Sequence, residues 1–195
     1  MIKNLYIADL HFFHENIIWF DSRPYKTIEE MTEKLIENWN GAVNKCDHVY
    51  VLGDMFWNNS HNKAVEVMKR LNGNVHLIKG NHDRITSSEF KKCFVEIVDY
   101  KKINDFVHRV QTSVVLSHYY MPFYDGHWHK GILLHGHTHV SKEAEYERWT
   151  TKEMIKKGFP EKIYNVGCMY PYMDYTPRTL DEIVERYKEW SIDDN

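Results

Sequence analysis

The sequence predicts an α/β protein, a helix-covered parallel sheet joined by further strands into a layered sandwich rather than a barrel. Three observations carry that expectation. Strand-like and helix-like segments alternate from residue 2 to residue 80, and from about residue 93 the texture turns to short runs rich in β-branched and bulky apolar types. Nearly every predicted strand ends in a cluster of polar side chains.

Residues 2–8 alternate as a half-buried strand does, and the runs 48–52 before Gly53-Asp54 and 74–78 before Gly80 read as short buried strands. Between the first two, Thr27 and Glu30 have capping-box spacing, and Met31, Leu35 and Trp39 then share one helical face. Between the second and third, Ala64, Val67, Met68 and Leu71 recur at helical spacing and Asn72-Gly73 closes the helix. This order implies parallel strands linked by right-handed crossovers. Segments 95–98, 106–110, 113–116 and 132–134 read as strands of a second sheet or an antiparallel extension, while 140–162 is charged and carries no clear pattern. Thr179 and Glu182 form another capping box, leading into a helix with Ile183, Val184, Tyr187 and Trp190 on its apolar face.

Nothing divides the chain, so residues 1–195 are expected to form one domain. The 25 basic and 28 acidic side chains leave a net charge of −3, too little to attract long nucleic acids or an anionic membrane. Cys46, Cys93 and Cys168 are widely spaced and form no C-x-x-C pair, so they are read as free thiols. With no signal-like or membrane-spanning apolar run, a cytoplasmic location is expected. Exposed aromatic side chains would equally suit a homodimer contact.

The strand-end clusters hold the chemistry. Ligands of open α/β sheets bind beyond the carboxyl ends of the strands, so clusters there can converge on one crevice. They supply two carboxylates (Asp9, Asp54), four imidazoles (His11, His118, His137, His139) and the amide of Asn81. That set exceeds the needs of one tetrahedral ion and suits two ions of higher coordination, without thiolate. Glycines at 53, 80 and 136 stand beside these donors, where a missing Cβ permits close approach. If the backbone stays extended, Asp9 with His11, and His137 with His139, point the same way and each pair grips one ion. His61, His76, His108, His127 and His129 take the ordinary structural reading, His48 fills sheet surface, and His135 alternates with His137 onto the other face of its strand.

In order, the blocks Asp9-x-His11, Gly53-Asp54, Gly80-Asn81-His82-Asp83, His118 and Gly136-His137-x-His139 resemble those of the calcineurin-like metallophosphoesterases. Residues 9–18, Arg23-Pro24 and 180–183 are similar to the small stand-alone bacterial and phage members. The resemblance implies an α/β/β/α sandwich of mixed sheets flanked by helices. It implies two divalent ions, Mn2+ first and Fe, Ni, Co or Zn as alternatives. Asp9, His11, Asp54 and His139 would hold one ion, Asn81, His118 and His137 the other, and Asp54 would bridge them. His82 would be the catalytic histidine, with Asp83 orienting it. Two departures stand out: Phe13 replaces a glycine common in similar small members, and the segment 165–171 leaves the usual pattern after Asn-Val-Gly.

The expected reaction is dinuclear-metal-dependent hydrolysis of a phosphate ester, by a phosphodiesterase or phosphatase acting on a nucleotide or small metabolite. A water acidified by the ions would supply hydroxide for in-line attack, and His82 would protonate the leaving alkoxide. Alternatives are a nuclease acting on DNA or RNA and a non-catalytic metal-binding scaffold of the same fold. Candidate substrate contacts are Arg84, His14, Asn16 and Arg23. Tyr119 adds to them, opening an aromatic stretch (119–128) that would overhang the crevice and stack a base. An ordinary ion pair, turn or packing role fits each of these equally well.

Overall fold

The computed structural model describes residues 2–57, 61–160 and 162–193. Two four-stranded sheets lie between helices. The first runs β1 (Asn4–Ile7), β2 (His48–Leu52), β3 (Asn74–Ile78) and β4 (Glu96–Val98), in that order and all parallel. Crossovers carry the short α1 (Ile17–Phe20), then α2 (Ile28–Ala42), α3 (His61–Arg70) and the single turn α4 (Ser88–Lys91). In the second sheet β5 (Tyr100–Val107) pairs antiparallel with β6 (Val110–Ser117), then β7 (Ile132–His135) and β8 (Ile163–Asn165) follow in parallel. Helix α5 (Lys142–Lys156) leads into β8, and α6 (Leu180–Asp193) closes the chain.

Local chemistry accounts for the helix ends. Thr27 Oγ1 accepts from the Glu30 amide at 3.2 Å, while Glu30 reaches back to the Lys26 amide rather than to that of Thr27. At α6 the exchange is reciprocal: Glu182 accepts from the Thr179 amide at 2.8 Å and Thr179 Oγ1 from that of Glu182 at 3.4 Å. Met31, Leu35 and Trp39 on α2 are buried against the first sheet's core, and removing such a cap would cost about 1 kcal/mol.

One core fills the space between and around the sheets, and a smaller cluster of Val115, Tyr124, Leu133 and Ile163 covers the outer face of the second sheet. The sheets meet along β1. Past its end, the Ala8 amide donates to Val166 and the Cys168 amide returns to Ala8, so the segment after β8 runs beside the segment after β1. That seam brings the strand ends of both sheets to one edge of the molecule.

Two expectations change. The run 106–110 is not one strand: Phe106 and Val107 end β5, Val110 opens β6, and His108 and Arg109 between them turn the hairpin in left-handed backbone, at φ 49° and 66°. The unpatterned 140–162 region contains α5, capped by Ser141, whose hydroxyl accepts from the amides of Glu143 and Ala144. All three cysteines are free. Among the described residues no helix is long and apolar enough to cross a membrane.

Candidate active site

At that edge the turns after β1, β2, β6 and β7 gather six of the seven predicted donors into two groups. Ligand atoms of Asp9, His11 and His139 lie within 4.8 Å of one another, and so do those of Asp54, His118 and His137. The seventh, Asn81, places Oδ1 3.0 Å from His118 Nε2. Asp54 stands between the groups, its Oδ2 3.5 Å from His118 Nε2 and 3.8 Å from His11 Nε2.

The premise of extended backbone does not hold. Asp9, His11, Asp54, His137 and His139 all adopt left-handed φ, between 47° and 76°. Asp9 and His11 still share a group, but His137 and His139 part company and serve different ones. Left-handed backbone in non-glycine residues is sparsely populated and costs about 1–3 kcal/mol each, so the surrounding packing must impose it. Glycine permits that packing. A Cβ on Gly53 would collide with the His118 imidazole, and one on Gly80 with the Asp54 carboxylate.

Electrostatics show what the site is built to receive. Although burial would lower the pKa of His118, the hydrogen bond to Asp54 and the charges of Asp9 and Asp54 push it up to about 9. Its Nδ1 donates to the Leu52 carbonyl at 2.8 Å, leaving Nε2 turned toward Asp54 and Asn81. Burial pushes the Asp9 carboxyl up to about 6, the neighbouring His139 and His118 opposing it. His11 and His139 face each other nitrogen to nitrogen at 3.2 Å, and the buried His11 Nδ1 has no hydrogen-bond partner among the described residues. Carboxylates that draw protons onto imidazoles, and lone pairs that converge, call for positive charge at this spot. A divalent cation meets that demand with an all nitrogen and oxygen donor set.

A second layer of residues, unforeseen in the sequence, holds the first group. His139 Nδ1 donates to Asp21 at 2.9 Å. Burial would raise Asp21, but His139 and Arg23 hold its carboxyl below the usual range. Arg23 binds that carboxylate through Nε and Nη2 at 3.0 and 2.8 Å and donates to the Leu10 and Asp9 carbonyls. With its side chain fully enclosed, Arg23 is a brace behind the donors rather than a substrate contact. The signal for it was Asp21-x-Arg23 itself, two opposite charges straddling one residue in a loop.

Other predicted contacts also move. Asp83 does not orient His82: its carboxylate accepts from the backbone amides of Asp54, Met55 and Gly80 at 2.8–3.1 Å, clamping two strand-end turns together. His82 is half-exposed with Nε2 4.0 Å from Asp54 Oδ2, and its ring lies 4.4 Å from that of Trp57. His14 is a buried wall, stacked on Trp57 at 3.8 Å, and burial brings its pKa down to about 4. Asn16 begins α1 at the surface, and Arg84 is exposed beside His82. Of the aromatic stretch, Tyr119 packs on the donors, 4.8 Å from His137 and 5.0 Å from His118. Further along, Phe123 and Trp128 turn away to Phe159, and Tyr124 is buried. Phe13, where glycine is common, has φ 70° and is packed beside Phe56.

A family model described as calcineurin-like phosphoesterase matches residues 2–190. The chain belongs to that family. It is 35% identical over 193 residues to an uncharacterized protein of Methanocaldococcus jannaschii, covering 98% of this chain and 95% of that one. It is also similar to the crystal structure of a protein of unknown function from Aquifex aeolicus, with a TM-score of 0.68 and 26% identity over 95% of this chain and 99% of the other. The family suggests metal-dependent phosphoester hydrolysis, and among the described residues the two His/Asp groups could each hold a metal ion.

Proposed function

We propose that the protein hydrolyses phosphate esters of nucleotides or other small metabolites, diesters ahead of monoesters. Asp9, His11, Asp54 and His139 would hold one cation and Asn81, His118 and His137 the other, with Asp54 shared. The observation that carries this reading is the position of Asp54, whose Oδ2 faces imidazole nitrogens of both groups while half-exposed His82 opens toward the same oxygen. A donor set of carboxylates, imidazoles and one amide supports Mn2+ first, with Fe, Co, Ni and Zn as further candidates. When bound, two such ions offset the charge of the phosphoryl oxygens and acidify a water.

The remaining work falls to the chain's own residues. His82 Nε2 delivers a proton to the departing ester oxygen, a role its partial exposure permits. Asp83 keeps the turns bearing Asp54 and His82 in register through three backbone amides. Trp57, between the rings of His14 and His82, limits how far His82 can swing. Exposed Asn81 and Tyr119 leave the solvent side open, which favours a phosphorus carrying a group on each side.

The test is hydrolysis of bis(p-nitrophenyl) phosphate and p-nitrophenyl phosphate with added Mn2+, against the same protein in chelator. We expect turnover that chelator abolishes, faster on the diester. His82→Ala should keep its metal and lose about 10²–10⁴ in rate. No turnover on either ester would overturn the reading, and metal loss in His82→Ala would make that residue a ligand.

A further inference from the structure

One short turn carries donors of both groups. His137 belongs with Asp54 and His118, His139 belongs with Asp9 and His11, and only Thr138 separates the two. Both histidines have left-handed backbone, at φ 76° and 47°. A turn in so sparsely populated a conformation does not hold itself, so contacts from outside must set it.

The residue between the histidines supplies two of those contacts. Thr138 is buried, and its Oγ1 donates to Glu147 Oε2 at 2.8 Å while accepting from Asn165 Nδ2 at 3.0 Å. Asn165 Oδ1 accepts in turn from the Gly167 amide at 2.9 Å, and Gly167 runs beside Ala8, next to Asp9. A line of hydrogen bonds therefore leads from α5 through the turn to the seam between the sheets. At its outer end, α5 is capped by Ser141, two residues after His139, and buries only Ala144 and Met154 among its described residues. With so little apolar packing along the helix, the bond from Thr138 to Glu147 is what ties its second turn back to the donors. Tyr170 also holds the turn, donating its hydroxyl to the His139 carbonyl, but on that side alone.

We infer that Glu147, acting through the Thr138 hydroxyl, is a positioning residue for His137 and His139 together, so that one side chain of α5 sets the reach of a donor in each group. The inference rests on the metal positions of the phosphoesterase reading. A hydroxyl both donates and accepts, which lets a single small side chain answer Glu147 and Asn165 at once. Without it, a carboxylate oxygen and an amide hydrogen are left unpaired in a buried place, and the turn has to shift to satisfy them. Because the histidines flank one residue, they shift together. Asp21, by contrast, touches the His139 ring only.

The test is calorimetric titration of the full-length protein with Mn2+. Thr138→Val keeps the shape and removes the hydroxyl, and should weaken both binding events about tenfold, the lower end of what a lost outer partner of a ligand costs. Thr138→Ser should return both to within threefold of the original protein. Glu147→Ala should act as Thr138→Val does, whereas Glu147→Gln, which loses the charge but keeps an acceptor, should restore most of the affinity. Thr151→Val removes a different α5 hydrogen bond, to Tyr120 at 3.0 Å, and should leave both events unchanged. Unaltered Mn2+ affinities in folded Thr138→Val, weakening of one event alone, or Glu147→Gln as weak as Glu147→Ala would each overturn the inference. If Thr138→Val does not fold, the two Glu147 variants decide the matter. Two bound Mn2+ with hydrolysis of neither ester would sink the phosphoesterase reading and leave the positioning role standing; hydrolysis with affinities that Thr138→Val leaves alone would do the reverse.

Discussion

The group around Asp9 and the group around His118 sit side by side, yet they are steadied by different means. In the first, His139 leans on Asp21, which is gripped in turn by the enclosed guanidinium of Arg23. In the second, His118 donates to the Leu52 carbonyl. Backbone amides also fix the two carboxylates: that of His137 donates to Asp9 and that of His82 to Asp54. A ligand aimed by side chains can be detuned by substitution at a distance, whereas one aimed by main chain changes only if the turn itself changes. Within the first group His139 is therefore adjustable, whereas Asp9 and the second group are fixed by the fold.

Three substitutions would break or sharpen that contrast. The largest effect is expected at Asp54, which belongs to neither side alone: Asp54→Asn should empty both positions by metal analysis and bring hydrolysis down to the chelator-treated level. Retention of one full equivalent would show that Asp54 serves the second group only. Next, Arg23→Met leaves the Asp21 carboxylate enclosed without its cation, which should cost about 3–5 kcal/mol of folding free energy in denaturant titration. A loss well under 1 kcal/mol would mean that Arg23 braces nothing. The smallest and most selective effect is Asp21→Asn, which keeps the shape and removes the charge that orients His139. It should weaken one of two binding events about 10–100-fold in calorimetric Mn2+ titrations and leave the other alone. Equal weakening of both would erase the distinction between side-chain and main-chain support.

The donors were legible because their chemistry demands particular residue types at strand ends, and Asp9, Asp54, His118 and the 137–139 pair stand there in order. Their support was not. Asp21 meets His139 across 118 positions of sequence, and no local pattern announces such a contact. Trp57 and Glu147 are equally silent, since aromatic and acidic residues near loops are common. Among the elements, β1 to β3 and helices α2, α3 and α6 show a clear apolar period, whereas α5 buries only Ala144 and Met154 among its described residues and so looks like a charged loop. The hairpin tip was hidden for another reason. His108-Arg109 makes a left-handed turn without the glycine or asparagine that normally marks one, and flanking Phe106, Val107 and Val110 read as continuous strand.

The left-handed backbone at Asp9, His11, Asp54, His137 and His139 bears on how this protein would respond to selection for heat resistance. Glycine relieves such a conformation at once, so a screen that rewards only survival at high temperature will favour replacing these five residues. Its winners would be robust and inert. Any programme of thermal hardening here has to draw its gains from helix surfaces and the outer sheet face, and score turnover alongside melting at every round.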